Sequence, residues 1–128
     1  MASILRVNTL TDASSGNSVP MATVNQGTAK AWVHYNSSMS ADDSFDISSI
    51  GDTGTGQADI NFSSTFSNTN YTAVTGASNG AASATTYNLD PNTFTTSDVE
   101  LRGKANGSGT VNLTDLSENT AGFHGDLA

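Results

Sequence analysis

The chain has 128 residues, room for one domain with or without an extended arm. It carries a formal charge of −8, with four Lys or Arg residues and no cysteine. The scarcity of cations argues against nucleic acid and anionic membranes as partners, and the lack of cysteine removes disulfides, zinc–thiolate sites and thiol chemistry. Hydrophobic residues make up 35% of the chain, below the roughly 45–50% of ordinary soluble domains. A chain this poor in large apolar side chains is expected to bury area between subunits as well as within them, and so to work as an intimate oligomer. The N-terminus, MASILRVNTL, lacks a charged stretch followed by an apolar run. It does not read as a secretory signal, and no stretch approaches the ~20 apolar residues of a membrane helix. Synthesis in the cytoplasm, without membrane insertion, is the expectation.

Ser and Thr contribute 18 residues each. Their hydroxyls compete with the helical backbone, while Thr suits a pleated strand. Taken in order, residues 3–10 (SILRVNTL) read as a short strand, and residues 11–28 as an irregular connection around Pro20. A loop of that length is unusual inside a compact domain. Residues 1–28 are therefore expected to form an N-terminal arm, with Ile4, Leu5, Val7 and Leu10 docking on another subunit or a larger assembly. From Ala29 the segment AKAWVHYN alternates, placing Ala29, Ala31, Val33 and Tyr35 on one face and Trp32 and His34 on the other. SFDISSI puts Phe45 and Ile47 on one face, and QADINF does the same for Ala58, Ile60 and Phe62. The intervening GDTGTG is a hairpin signal. YTAVTGA (71–77), ATTYNL (84–89), TFTTSDVELR (93–102) and TVNLTDL (110–116) continue the theme, and the tail adds an edge strand containing Phe123.

Apolar residues nowhere recur at helical spacing over three turns, and strands every ten to fifteen residues predict an all-β antiparallel sandwich, jelly-roll-like, over residues 29–128. The candidate core or subunit-packing residues are Trp32, Val33, Tyr35, Phe45, Ile47, Ile60, Phe62 and Tyr71, with Ala29 and Ala31 allowing close approach of strands at a subunit axis.

Gly76-Ala77-Ser78-Asn79-Gly80 matches the G-x-S-x-G pattern of a nucleophile elbow, and Asp98 and His124 follow in hydrolase order. An elbow needs a helix after the serine, whereas AASATTYN reads as a strand, so the segment is better read as a turn. No catalytic residue and no cofactor is assigned. Asp42, Asp43 and Asp46 form the densest acidic cluster; a solvated rim is the plainer reading, and a metal ion the sharper one.

One further pattern is specific. Gly27-Thr28-Ala29-Lys30-Ala31-Trp32-Val33, Asp43-Ser44-Phe45-Asp46-Ile47-Ser48-Ser49-Ile50, Asp52-x-Gly54-x-Gly56, Ile60-Asn61-Phe62 and Asn70-Tyr71 follow one another in compact order. Over residues 27–75 this resembles a β-rich module at the C-terminal ends of tail-fibre-like proteins of marine and cyanobacterial phages. The resemblance implies a virion protein, usually homotrimeric, with an exposed β-domain that meets the host surface; the partners expected beside that are a host surface glycan and, through residues 1–28, other virion proteins. It carries no catalytic residues. The alternative is a capsid decoration or cement protein that stabilises the head shell.

Overall fold

In the computed structural model, residues 6–11, 13–14, 16–80, 86–107 and 110–128 are described. The protein is all-β, with antiparallel sheets and one short helix. Strands β1 (Thr9–Thr11) and β2 (Ser18–Pro20) form a small hairpin, followed by helix α1 (Met21–Gly27). A four-stranded sheet has the order β4-β3-β11-β7, made of Ala41–Phe45, Ala31–Tyr35, Glu118–His124 and Thr72–Ser78. A five-stranded sheet has the path β10-β9-β6-β5, made of Thr110–Leu113, Asp98–Gly107, Gln57–Phe62 and Ile47–Gly54, with β8 (Thr86–Phe94) pairing β9.

The inner faces of these two sheets share one core. Ala31, Val33 and Tyr35 of β3 and Ala121 and Phe123 of β11 meet Ala58, Ile60 and Phe62 of β6, Val99 and Leu101 of β9 and Leu89 of β8. Each strand contributes alternate residues, as the two-residue period of a strand requires. Leu116 is buried as well, just ahead of β11. At one end of the core the rings of Phe62, Phe66, Tyr71, Phe94 and Phe123 pack together. Phe66 and Tyr71 stack at 4.2 Å, and Tyr71 meets Phe62 and Phe94 edge-on at 5.7 and 5.1 Å. The Tyr71 hydroxyl donates to the Asp98 carbonyl at 2.9 Å, and burial followed by the Asp98 charge pushes its pKa up to about 12. Thr75 Oγ1 donates to the Leu89 carbonyl at 2.6 Å, a second polar tie between the sheets.

The hairpin read at GDTGTG is present as β5 and β6 joined through Thr55 and Gly56. Gly56 has φ +66°, and a Cβ there would lie 2.5 Å from the Thr114 nitrogen and 2.7 Å from the Gly103 carbonyl oxygen, so both space and dihedral demand glycine.

Several expectations are corrected. SFDISSI is not one strand: β4 ends at Phe45 and β5 begins at Ile47, with Asp46 between them at φ +57°. That left-handed residue breaks the two-residue period, so Ile47 packs against the core while Phe45 is 56% exposed. Trp32 is 38% exposed, on the outer face of β3, because Ala31, Val33 and Tyr35 take the inner one. Ala31 is fully buried within its own chain and so lines no subunit axis. The tail strand β11 is not an edge but sits between β3 and β7, since Asn119, Ala121 and Phe123 all point inward. Residues 21–27, read as irregular, form a two-turn helix. Val7 and Leu10 are exposed, and Ile4 and Leu5 lie outside the described residues.

Phe66→Ala should lower the unfolding free energy by ~3–5 kcal/mol, and Trp32→Ala by no more than about 1 kcal/mol. Gly125→Ala, whose new Cβ would sit 2.6 Å from Tyr71 Cβ, should cost ~1–3 kcal/mol. Urea unfolding at dilute concentration checks all three. A Trp32→Ala cost equal to that of Phe66→Ala would show that another surface covers Trp32.

Candidate functional site

The two outer faces of the molecule differ in chemistry. On the five-stranded sheet the outer face carries two ion pairs. Arg102 Nε donates to Glu100 Oε1 at 2.7 Å, and Lys104 Nζ donates to Asp90 Oδ2 at 2.8 Å. The Arg102 hydrogen bond holds the Glu100 carboxyl below its usual range. Asp59, opposite Glu100 in the register, is raised, first by partial burial and then by the Asp98 and Glu100 charges. Among the described residues, Val111 and Leu113 of β10 are the exposed large apolar side chains on this sheet.

The four-stranded sheet presents something else. Its register runs Phe45–Trp32–Gly122–Val74 straight across all four strands, on the outer face. Phe45, Trp32 and Val74 are 56%, 38% and 61% exposed, and a Cβ on Gly122 would meet nothing within 4 Å. With strands about 4.8 Å apart, the row spans about 14 Å. Glycine leaves a flat step between the indole and Val74. Beside this row lie Asp43, His34 and Thr120, also paired in register. No Lys or Arg occurs in any of the four strands.

Each end of this face is polar. Next to the His124–Thr72 pair there is a cavity of about 400 Å³ lined by Gln26, Asn68, Asn70, Thr72, His124 and Asp126. At the other end, His34 Nε2 lies 2.7 Å from Glu118 Oε2, and a donor atom of Asp42 joins them so that all three lie within 4.8 Å of one another. Asn36 Nδ2 donates to Asp42 Oδ1 at 3.1 Å.

The acidic cluster expected at Asp42, Asp43 and Asp46 is therefore dispersed. Asp42 turns toward His34 and Glu118, Asp43 Oδ1 accepts the Ser44 amide at 2.8 Å, and Asp46 Oδ1 accepts the Ser64 hydroxyl at 3.0 Å. The backbone switch at Asp46 separates it from the other two. Glu118 was invisible to spacing, because 84 residues separate it from its partner His34.

The nucleophile-elbow residues are likewise apart. Ser78 pairs with Glu118 at one end of β7, while His124 pairs with Thr72 at the other. Six residues of strand put them about 20 Å apart. Asp98 lies on the other sheet, its Oδ2 accepting from Thr95 and Ser97 hydroxyls at 2.6 and 2.8 Å. Gly76-Ala77-Ser78 belongs to a strand, with Asn79 and Gly80 after its end.

No family model, no curated protein and no solved structure matches the chain. Among the described residues, no helix is long and apolar enough to cross a membrane.

The raised Asp59 gives a pH signature for the opposite sheet. Its proton is held more tightly in the folded chain than in the unfolded one, so its ionisation opposes folding. Stability from this group is present below the unfolded carboxyl range and lost as pH rises through the raised value. Asp59→Asn should therefore raise the melting temperature at neutral pH, with the difference from wild type vanishing as pH falls below the carboxylate range. A constant difference at every pH would sink the assignment.

Proposed function

We propose that the chain is a structural and adhesive module of a bacteriophage particle, a homotrimeric fibre or tip module that holds a neutral glycan of the host surface on the outer face of its four-stranded sheet. The observation that carries this reading is the exposed Phe45–Trp32–Gly122–Val74 row. Soluble domains rarely leave contiguous aromatic surface in water without a use for it. A flat apolar strip of this length accepts the C–H faces of sugar rings, and the hydroxyls, amides and carboxylates at its two ends match sugar hydroxyls. Four strands without Lys or Arg, but with Asp42, Asp43 and Glu118, disfavour phosphate, sulfate or uronate groups and favour an uncharged chain.

The arm supports the assembly half of the proposal. Val7, Leu10 and Val19 are exposed on it, and Lys30 Nζ binds the carbonyl and Oδ1 of Asn25, tying α1 to the start of β3. An apolar arm anchored at its root suits exchange between subunits or docking on other virion proteins. Attachment through the same arm is what a capsid decoration protein needs, and that second reading differs in leaving the aromatic row without a glycan.

Light scattering on the purified chain should give a mass of about three times 13.1 kDa, retained on dilution. Immobilised neutral surface polysaccharides from candidate hosts should capture the wild type, and the double variant Trp32→Ala, Phe45→Ala should lose at least tenfold in affinity (about 1.4 kcal/mol) while its trimer mass is unchanged. A monomer would remove the trimer. Equal capture of the two proteins would remove the row as the adhesive surface, and binding to purified capsids alone would favour the decoration reading.

A further inference from the structure

We propose that His34, Asp42 and Glu118 form a binding site for a divalent metal ion of the zinc class. The inference goes beyond the adhesive reading and does not depend on it. It starts from how three residues remote in sequence come to share one spot. His34 faces outward from β3, opposite Thr120 of β11. Glu118 lies two residues before Thr120 on β11, and therefore on the same face, one step along. Regular pairing of β3 with β4 would supply only Asp43 at this level. The register instead shifts between His34 and Tyr35: Asp43 stands opposite His34 and Ala41 opposite Tyr35, leaving Asp42 as the extra residue of a bulge. Bulges re-aim a side chain, and here the result is that donor atoms of His34, Asp42 and Glu118 all lie within 4.8 Å of one another.

The frame around the three donors is rigid. Asn119, next to Glu118, is only 2% exposed. Its Nδ2 donates to the Leu116 carbonyl at 2.8 Å and to the Tyr35 carbonyl at 3.3 Å. That buried amide pins the start of β11 to the end of β3, so Glu118 and His34 are each one residue from a fixed point. Asn36 Nδ2 holds Asp42 Oδ1 at 3.1 Å, the kind of outer hydrogen bond that orients a ligating carboxylate.

One imidazole and two carboxylates select among metals. Calcium takes six to eight oxygens and has little use for imidazole. Zinc accepts nitrogen and carboxylate oxygen at ~2.0–2.2 Å, and three protein ligands leave an open position. Around such an ion the donors stand about 3.4 Å apart, so the 2.7 Å contact between His34 and Glu118 must open a little and the Asp42 carboxylate must move in. All three side chains are at the surface and can make that adjustment. The four strands offer no Lys or Arg to compete for the carboxylates.

The test uses the whole chain in metal-free buffer at neutral pH. Calorimetric titration with zinc should show one ion per chain, and cobalt should give the visible absorption of a low-symmetry nitrogen–oxygen site. In the wild type, nitrogen-15 spectra of the two histidines should show the His34 ring shifting on zinc addition while the His124 ring does not. His34→Gln, Asp42→Asn and Glu118→Gln should each weaken zinc binding by more than about tenfold, and Asn36→Ala should weaken it less. Asp52→Asn and His124→Gln, which lie outside the group, should bind as wild type. Lack of saturable binding into the millimolar range would overturn the proposal. So would a zinc-induced shift at His124 instead of His34, or binding that survives Glu118→Gln undiminished. Circular dichroism of each metal-free variant confirms that it is folded before it is counted.

Discussion

The ring cluster around Tyr71 is the contact on which the remaining architecture rests. Tyr71 precedes β7 of the four-stranded sheet, yet its ring stacks on Phe66 and meets Phe62 and Phe94 of the other sheet. Its hydroxyl ends on the carbonyl of Asp98, where β9 begins. One side chain thus sets the spacing between the sheets and fixes the start of the longest strand. Aromatic pairs contribute ~0.5–1.5 kcal/mol each beyond the area they bury, so the cluster concentrates stability at one end. Gly125 is part of the same arrangement, because Tyr71 Cβ and the Phe66 ring occupy the space where its side chain would be. The chain end then folds back: Ser67 N donates to the Asp126 carbonyl and Ala128 N to that of Thr65, at 2.8 and 2.9 Å.

Economy of composition follows from this concentration. Among the described residues, thirteen buried apolar side chains, several of them aromatic, fill the space between the two sheets. Many of the outward positions are left to Ser, Thr, Asn and charged residues. A low overall hydrophobic content is therefore compatible with a full core in a single chain, because alternation on β3, β6, β9 and β11 sends apolar residues inward in register. The thin-composition argument for subunit exchange loses its force on this structure. What supports an assembly is instead the apolar surface that alternation leaves outside: the aromatic row, the arm, and Val111 and Leu113 on β10.

Much of the fold was legible where the two-residue period runs unbroken. AKAWVHYN and QADINF give the inner faces of β3 and β6 directly, and GDTGTG gives the hairpin that leads into β6. Legibility fails where one residue breaks the period. Asp46 at φ +57° moves the chain from one sheet to the other, and an aspartate in that conformation is not announced by its neighbours, since Asp is only one of several residues that tolerate it. Phe45 and Ile47 therefore look equivalent in the sequence and end on opposite sides. Trp32 is a different failure. Its outward position was readable from alternation, but its size suggested burial, and size says nothing about which face a residue occupies. Glu118 was out of reach altogether, because its relation to His34 exists only through the β3–β11 pairing.

The same two irregularities that hide the site from the sequence also shape it. Phe45 is held outward by its pairing with Trp32, and the left-handed turn at Asp46 sends Ile47 inward to the core instead of following Phe45 onto the outer face. Without the bulge between β3 and β4, Asp42 would alternate away from His34, and the polar end of the face would hold a simple imidazole–carboxylate pair. Both departures lie in β4 and its exit, an edge strand, where irregular pairing disturbs one neighbour and not two. The central strands β3 and β11 stay regular and supply a flat base, with Gly122 open between Trp32 and Val74. Regular strands thus provide the platform, and the irregular edge strand beside them provides the chemistry.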